Sequence, residues 1–73
     1  MTDSYENLAN AIILQAVKDY RVTLKRLKRN PRNKDAQIAA DEVERFFRSD
    51  WYRELTSVDG EMLITKLRKE LGL

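Results

Sequence analysis

Seventy-three residues with 42% hydrophobic and 36% charged side chains, two Gly and one Pro allow one small domain and exclude a disordered or fibrous chain. Cys and His are both absent, which excludes disulfides, thiolate nucleophiles, Ser-His and Cys-His catalysis, thiolate or imidazole zinc sites and haem ligation. The longest uninterrupted apolar run, Ala11 to Leu14, is four residues against the ~18 that a membrane span needs, so a chain with neither leader nor span nor Cys is expected in the cytoplasm.

The net charge of +2 is unevenly spread. Residues 1–34 carry eight Lys/Arg and three Asp/Glu, residues 35–61 three and eight, and residues 62–73 three and one. The basic excess lies between Lys18 and Lys34, where eight cations face only Asp19. Local charge, rather than pI, is what suggests partners.

Asp3 and Glu6 have capping-box spacing just before an apolar pattern at Tyr5, Leu8, Ile12, Ala16, Tyr20, Leu24 and Leu27. Spacings of three and four predict a helix, and Ala9, Ile13 and Val17 widen its apolar face to about half the circumference. The helix is expected from Ser4 to Lys28. It stops at Asn30-Pro31 because a residue preceding Pro is driven out of the α region. Either Asn30, with Pro31 at the first helical position, or Asn33 a turn later caps a second helix.

Ala36, Ala39, Ala40, Val43, Phe46 and Phe47 share one face of that helix, and a short connection between two amphipathic helices implies an antiparallel hairpin. The alanines near the turn allow the axes to approach closely, while the two Phe fill a wider gap against the N-terminal half of the first helix. Ser49 caps a short third helix, Asp50 to Leu55. Asp59 caps a fourth, Gly60 to Leu71, in which Leu63, Ile64, Leu67 and Leu71 are three or four apart, and Gly72 supplies the stop. The expected fold is therefore all-α, a single domain over 1–73: a small bundle of three helices, the long antiparallel hairpin plus the C-terminal helix, with a short connecting helix. Leu8, Ile12, Tyr20, Leu24, Val43, Phe46, Phe47, Leu63 and Leu67 are its expected core.

The stretch Phe46 to Leu71 carries an aromatic pair, the run Ser49-Asp50-Trp51-Tyr52, a turn Leu55-Thr56-Ser57-Val58-Asp59-Gly60-Glu61 and a closing helix through Leu63, Ile64, Lys66, Leu67 and Arg68. In these features it resembles short proteins of prophages and integrative elements of Gram-positive bacteria, a group with no assigned activity. The resemblance covers the C-terminal third to half of the chain. It implies a mobile-element origin and carries over no catalytic residue.

The Asp59-Gly60-Glu61 turn does not fit a calcium loop. With Gly60 at the sixth position of such a loop, Leu55 and Lys66 fall at the first and twelfth, where the ion needs carboxylates. Asp59 is better read as a helix cap, and the remaining carboxylates show no diagnostic spacing. No nucleophile-base pair and no phosphate-cradling glycine loop is present, so neither an enzyme, a cofactor nor a small-molecule substrate is expected. Trp51 and Tyr52, next to Phe46 and Phe47, suit core packing better than base stacking because Asp50 and Glu54 would repel phosphate. Trp51 is also a candidate interface anchor.

Lys18, Arg21, Lys25, Lys28 and Arg29 share a face of the first helix opposite its apolar one, continued by Arg32 and Lys34 in the turn. Such a stripe suits sequence-independent contact with nucleic-acid phosphates. It suits somewhat better a solvated face whose cations complement the helix C-terminus and pair with the acidic second helix. Leu14, Val22 and Ile38 lie off the packing faces and, with Trp51, are candidate protein-interface residues. The leading expectation is a small protein-interaction module, an adaptor or inhibitor that binds a partner protein or itself as a homo-oligomer. The alternative is a nonspecific nucleic-acid-binding protein.

Overall fold

The structure, a computed structural model, describes residues 4–73. Four helices and no strand are found among them: α1 (Ser4–Arg29), α2 (Lys34–Phe47), α3 (Asp50–Leu55) and α4 (Gly60–Glu70). The long α1 packs on the others. The capping box expected at Asp3 lies outside the described residues.

The starts of α2, α3 and α4 are each set by a side-chain cap, whereas α1 and α4 end on backbone hydrogen bonds. α1 runs one residue further than expected, to Arg29, and closes with the Asn30 amide donating to the Arg26 carbonyl at 2.9 Å. The two asparagines of the turn have separate tasks. Asn30 Oδ1 accepts from the Arg32 amide (3.1 Å), bending the chain around Pro31, while Asn33 Oδ1 accepts from the Ala36 amide (3.1 Å) and caps α2. Ser49 caps α3 by accepting from the Tyr52 amide (3.1 Å), and its hydroxyl donates to the Phe46 carbonyl (2.7 Å). Asp59 Oδ1 accepts from the amides of Glu61 and Met62 and caps α4.

The last helix ends one residue earlier than expected. Leu71 is the cap and Gly72 has φ +76°. The Leu73 amide donates to the Arg68 carbonyl (2.8 Å) and that of Gly72 to Lys69 (3.1 Å), so a left-handed glycine satisfies carbonyls the helix would otherwise leave open.

Tyr20, Leu24, Ala40, Phe47, Tyr52, Ile64 and Leu67 form the buried cluster. Ala36 is buried beside the turn, where small side chains bring α1 and α2 together. Farther along, the rings of Phe47, Tyr20 and Tyr52 meet edge to face at 5.6–5.8 Å. Of the expected core, Tyr20, Leu24, Phe47 and Leu67 are buried, Val43, Phe46 and Leu63 are half-buried at its margin, and Ile12 is half-buried away from the cluster. Leu8 is a correction: it is 60% exposed. The cause is length. At ~1.5 Å per residue, α1, with 26 residues, outruns the 14-residue α2, and of residues 4–10 only Ala9 is buried. The molecule is accordingly elongated, 45 × 20 × 20 Å.

One polar cluster ties three helices together at the edge of this core. Tyr20 Oη donates to Glu44 Oε2 at 2.6 Å, and Arg68 Nη1 donates to the same oxygen at 2.9 Å. Arg48 reaches Glu44 Oε1 at 3.5 Å and pairs with Glu61. Burial, and then the hydrogen bond to the Glu44 carboxylate, push the Tyr20 phenol up to about 12. Burial raises the Tyr52 phenol as well.

Between the ordinary tyrosine value near 10 and about 12 the unfolded chain gives up the Tyr20 proton while the folded chain keeps it, so stability falls as pH rises through that window. Urea titrations at pH 8 to 12 are expected to show this loss, reduced in Tyr20→Phe. An identical alkaline slope in the variant would mean that Tyr20 does not titrate this way.

Candidate interaction surfaces

The two-residue link Arg48-Ser49 turns α3 so that adjacent side chains part. Tyr52 enters the core at 1% exposure, and Trp51, about 100° around the helix, is left 54% exposed. Core packing therefore describes Tyr52 and not Trp51. The Trp51 ring stands edge-on to Phe46, 5.4 Å between centroids. Together they form one wall of an open apolar groove whose floor is Ala11, Ile12 and Ala16 of α1. Gln15 and Asp19 edge it, joined by a 3.0 Å hydrogen bond. On α3, Asp50 flanks Trp51, and Glu54 lies three residues on, along the same face.

A second shallow groove runs along the other flank of α1, lined by Ile13, Leu14, Val17, Val58 and Leu63. Leu14 and Trp51 thus belong to neighbouring but separate grooves at one end of the molecule. Val22 and Ile38 are exposed, at 56% and 57%, yet each points directly away from the core by helical phase: Val22 among the cations of α1, Ile38 near the start of α2. Scattered aliphatics of this kind are ordinary surface. The four interface candidates are all exposed but do not form one patch.

All seven candidate nucleic-acid contacts, Lys18, Arg21, Lys25, Lys28, Arg29, Arg32 and Lys34, are exposed. Among the described residues only Arg21 of the seven is ion-paired, its guanidinium meeting the Glu70 carboxylate at 2.9 Å. That hydrogen bond, together with the charges of Lys66 and Lys25, holds the Glu70 carboxyl below the usual range. α4 therefore lies beside the basic stripe. Sequence spacing within α1 gave no sign of this, because it depends on how a helix 40 residues away is laid down.

No group of three or more metal-ligating side chains occurs among the described residues. The Asp59 carboxylate is engaged by the amides of α4, as a cap should be. Tyr52 Oη is buried without a hydrogen-bond partner, and the Tyr20–Glu44–Arg68 cluster is internally satisfied, so neither presents a reactive group to solvent. No helix among the described residues is long and apolar enough to cross a membrane. No protein-family model, curated protein or solved structure matches the chain, and the resemblance of residues 46–71 to mobile-element proteins rests on those residues alone.

Proposed function

We propose that the chain is a non-catalytic protein-interaction module of the adaptor or inhibitor kind, built as a three-helix bundle with α3 as connector, and that the groove beside Trp51 is its contact surface. One observation carries the reading: a tryptophan 54% exposed, braced by Phe46, stands over an aliphatic floor in a chain this small. Tryptophan beside a preformed apolar groove is the side chain most enriched at energetic centres of protein contacts. The carboxylates around it select the occupant. Asp19, Asp50 and Glu54 would meet their own copies in a twofold dimer through this groove, whereas an amphipathic helix with basic flanks satisfies both floor and rim. A mobile-element origin and a cytoplasmic setting accord with this role through the sequence motif and composition only.

Capture of proteins from nuclease-treated host lysate on immobilised parent, Ile12→Glu, Trp51→Ala and Ile38→Glu chains tests the assignment. A bound protein lost with the first two variants and kept with the third is expected. Capture indifferent to Ile12 and Trp51 would overturn it. In parallel, a parent that sediments as a dimer and becomes monomeric only in Ile12→Glu would replace the heterotypic partner with a second copy of the chain.

A further inference from the structure

We propose that the opposite end of the molecule binds double-helical nucleic acid through its phosphates, with no base readout, on a face shared by α1 and α4 that Glu70 partly neutralises. This is independent of the groove. Gly60, at the start of α4, abuts the Phe47 carbonyl at the end of α2, and Gly72, beyond its end, lies beside Lys28 of α1. α4 thus runs in the same direction as α1, and both finish where the α1–α2 turn lies. From Arg21 to Asp35 and from Lys66 to the C-terminus there are ten Lys or Arg and two carboxylates, Asp35 and Glu70. The remaining described residues hold four Lys or Arg and nine Asp or Glu. Folding thus converts an uneven sequence into a molecule with one strongly positive end.

Three features favour phosphate binding over a merely solvated face. First, the pairing that would neutralise the stripe does not form with α2: the best-buried carboxylate there, Glu44, is held by Tyr20, Arg68 and Arg48. Second, Arg21, Lys25 and Lys28 span about 10 Å of α1, and Lys66 lies close enough to bear on the same Glu70 carboxylate as Lys25. Rigidly spaced cations from two helices can meet several phosphates at once, releasing counterions for each. Third, the face carries no aromatic side chain. The exposed tryptophan is at the other end of the molecule, which leaves nothing here to stack on unpaired bases. It also leaves no aromatic anchor for a lipid interface, so a duplex backbone is the polyanion that suits it.

Glu70 makes the proposal distinctive, because removing it should strengthen binding. Fluorescence anisotropy of the full chain with a labelled mixed-sequence DNA duplex, at salt from about 30 to 200 mM, is the test. The parent is expected to bind with a log-log salt slope of about −3 to −4. Glu70→Gln, which removes one of the two carboxylates of this end and releases Arg21, is expected to bind roughly threefold tighter or better, with a slope steeper by about one. The double change Lys25→Gln and Lys66→Gln should weaken binding more than tenfold, flatten the slope by roughly two units and affect all sequences alike. All three substituted positions are exposed, and circular dichroism of each variant checks that the fold is kept.

Absence of binding to the duplex at the lowest salt would overturn the proposal. So would binding unmoved by either variant, which would place it elsewhere, or preference for a single strand or for vesicles containing phosphatidylserine over the duplex.

Discussion

Gly60→Ala is expected to cost about 3 kcal/mol or more and to leave much of the chain unfolded at room temperature. A methyl group at this position would stand 1.9 Å from the Phe47 carbonyl oxygen, a backbone atom that cannot turn aside. The site is the first residue of α4, where helix propensity alone would make Ala an improvement of up to ~1 kcal/mol. The two considerations thus predict opposite signs, and the steric one is much the larger. Gly72→Ala is the useful contrast. Gly72 is glycine for its positive φ, with only the flexible end of Lys28 nearby, and Ala there should cost about 1 kcal/mol. Chemical denaturation followed by circular dichroism distinguishes the two, and a Gly60→Ala chain as stable as the parent would mean that α2 and α4 do not approach as described.

Phe47→Ala is expected to cost about 3–5 kcal/mol, comparable with the whole stability of a domain this size. The ring is 1% exposed and meets those of Tyr20, Phe46 and Tyr52, which come from three different helices. Its removal empties the place where α1, α2 and α3 converge. Leu8→Ala, although it removes a side chain of similar hydrophobicity from the apolar pattern of α1, should change stability by no more than about 0.5 kcal/mol. Equal denaturation midpoints for the two variants would contradict the burial described for Phe47.

Leu8 and Phe47 also show what was legible beforehand. Periodicity says which side of a helix is apolar, a local property, and it correctly identified four helices, their caps at Ser49 and Asp59, and the packing faces of Tyr20, Leu24, Phe47 and Leu67. How far the neighbouring helix extends is not local, and Leu8 sits on the correct face of a turn that nothing covers. Trp51 and Tyr52 posed a choice of the same kind. The two side chains leave α3 about 100° apart, and which of them faces the core depends on the angle at which α3 leaves Ser49. Gly60 reads in the sequence as a tolerable first helical residue, while the contact that requires it comes from Phe47, thirteen positions earlier.

The binding surfaces divide likewise. The cations of α1 are visible in the chain because they share one helix. Lys66 and Glu70 join them only once α4 has been laid alongside α1. The groove was half visible, in Trp51 alone, because Ala11, Ile12 and Ala16 become its floor only when α3 turns back along α1.

The segregation of charge along the 45 Å axis also changes what the net charge of +2 means. The peptide dipoles of α1 and α4 place roughly half a positive charge at one end and half a negative charge at the other. The side chains oppose them in sign and exceed them several-fold, so the molecule's permanent dipole is set by its surface and not by its backbone. At physiological ionic strength electrostatic influence decays over about 8 Å, far less than the length of the molecule. An approaching macroion therefore never encounters a weakly basic protein. It meets either a cationic body or an anionic one, and turning the molecule end over end turns attraction into repulsion.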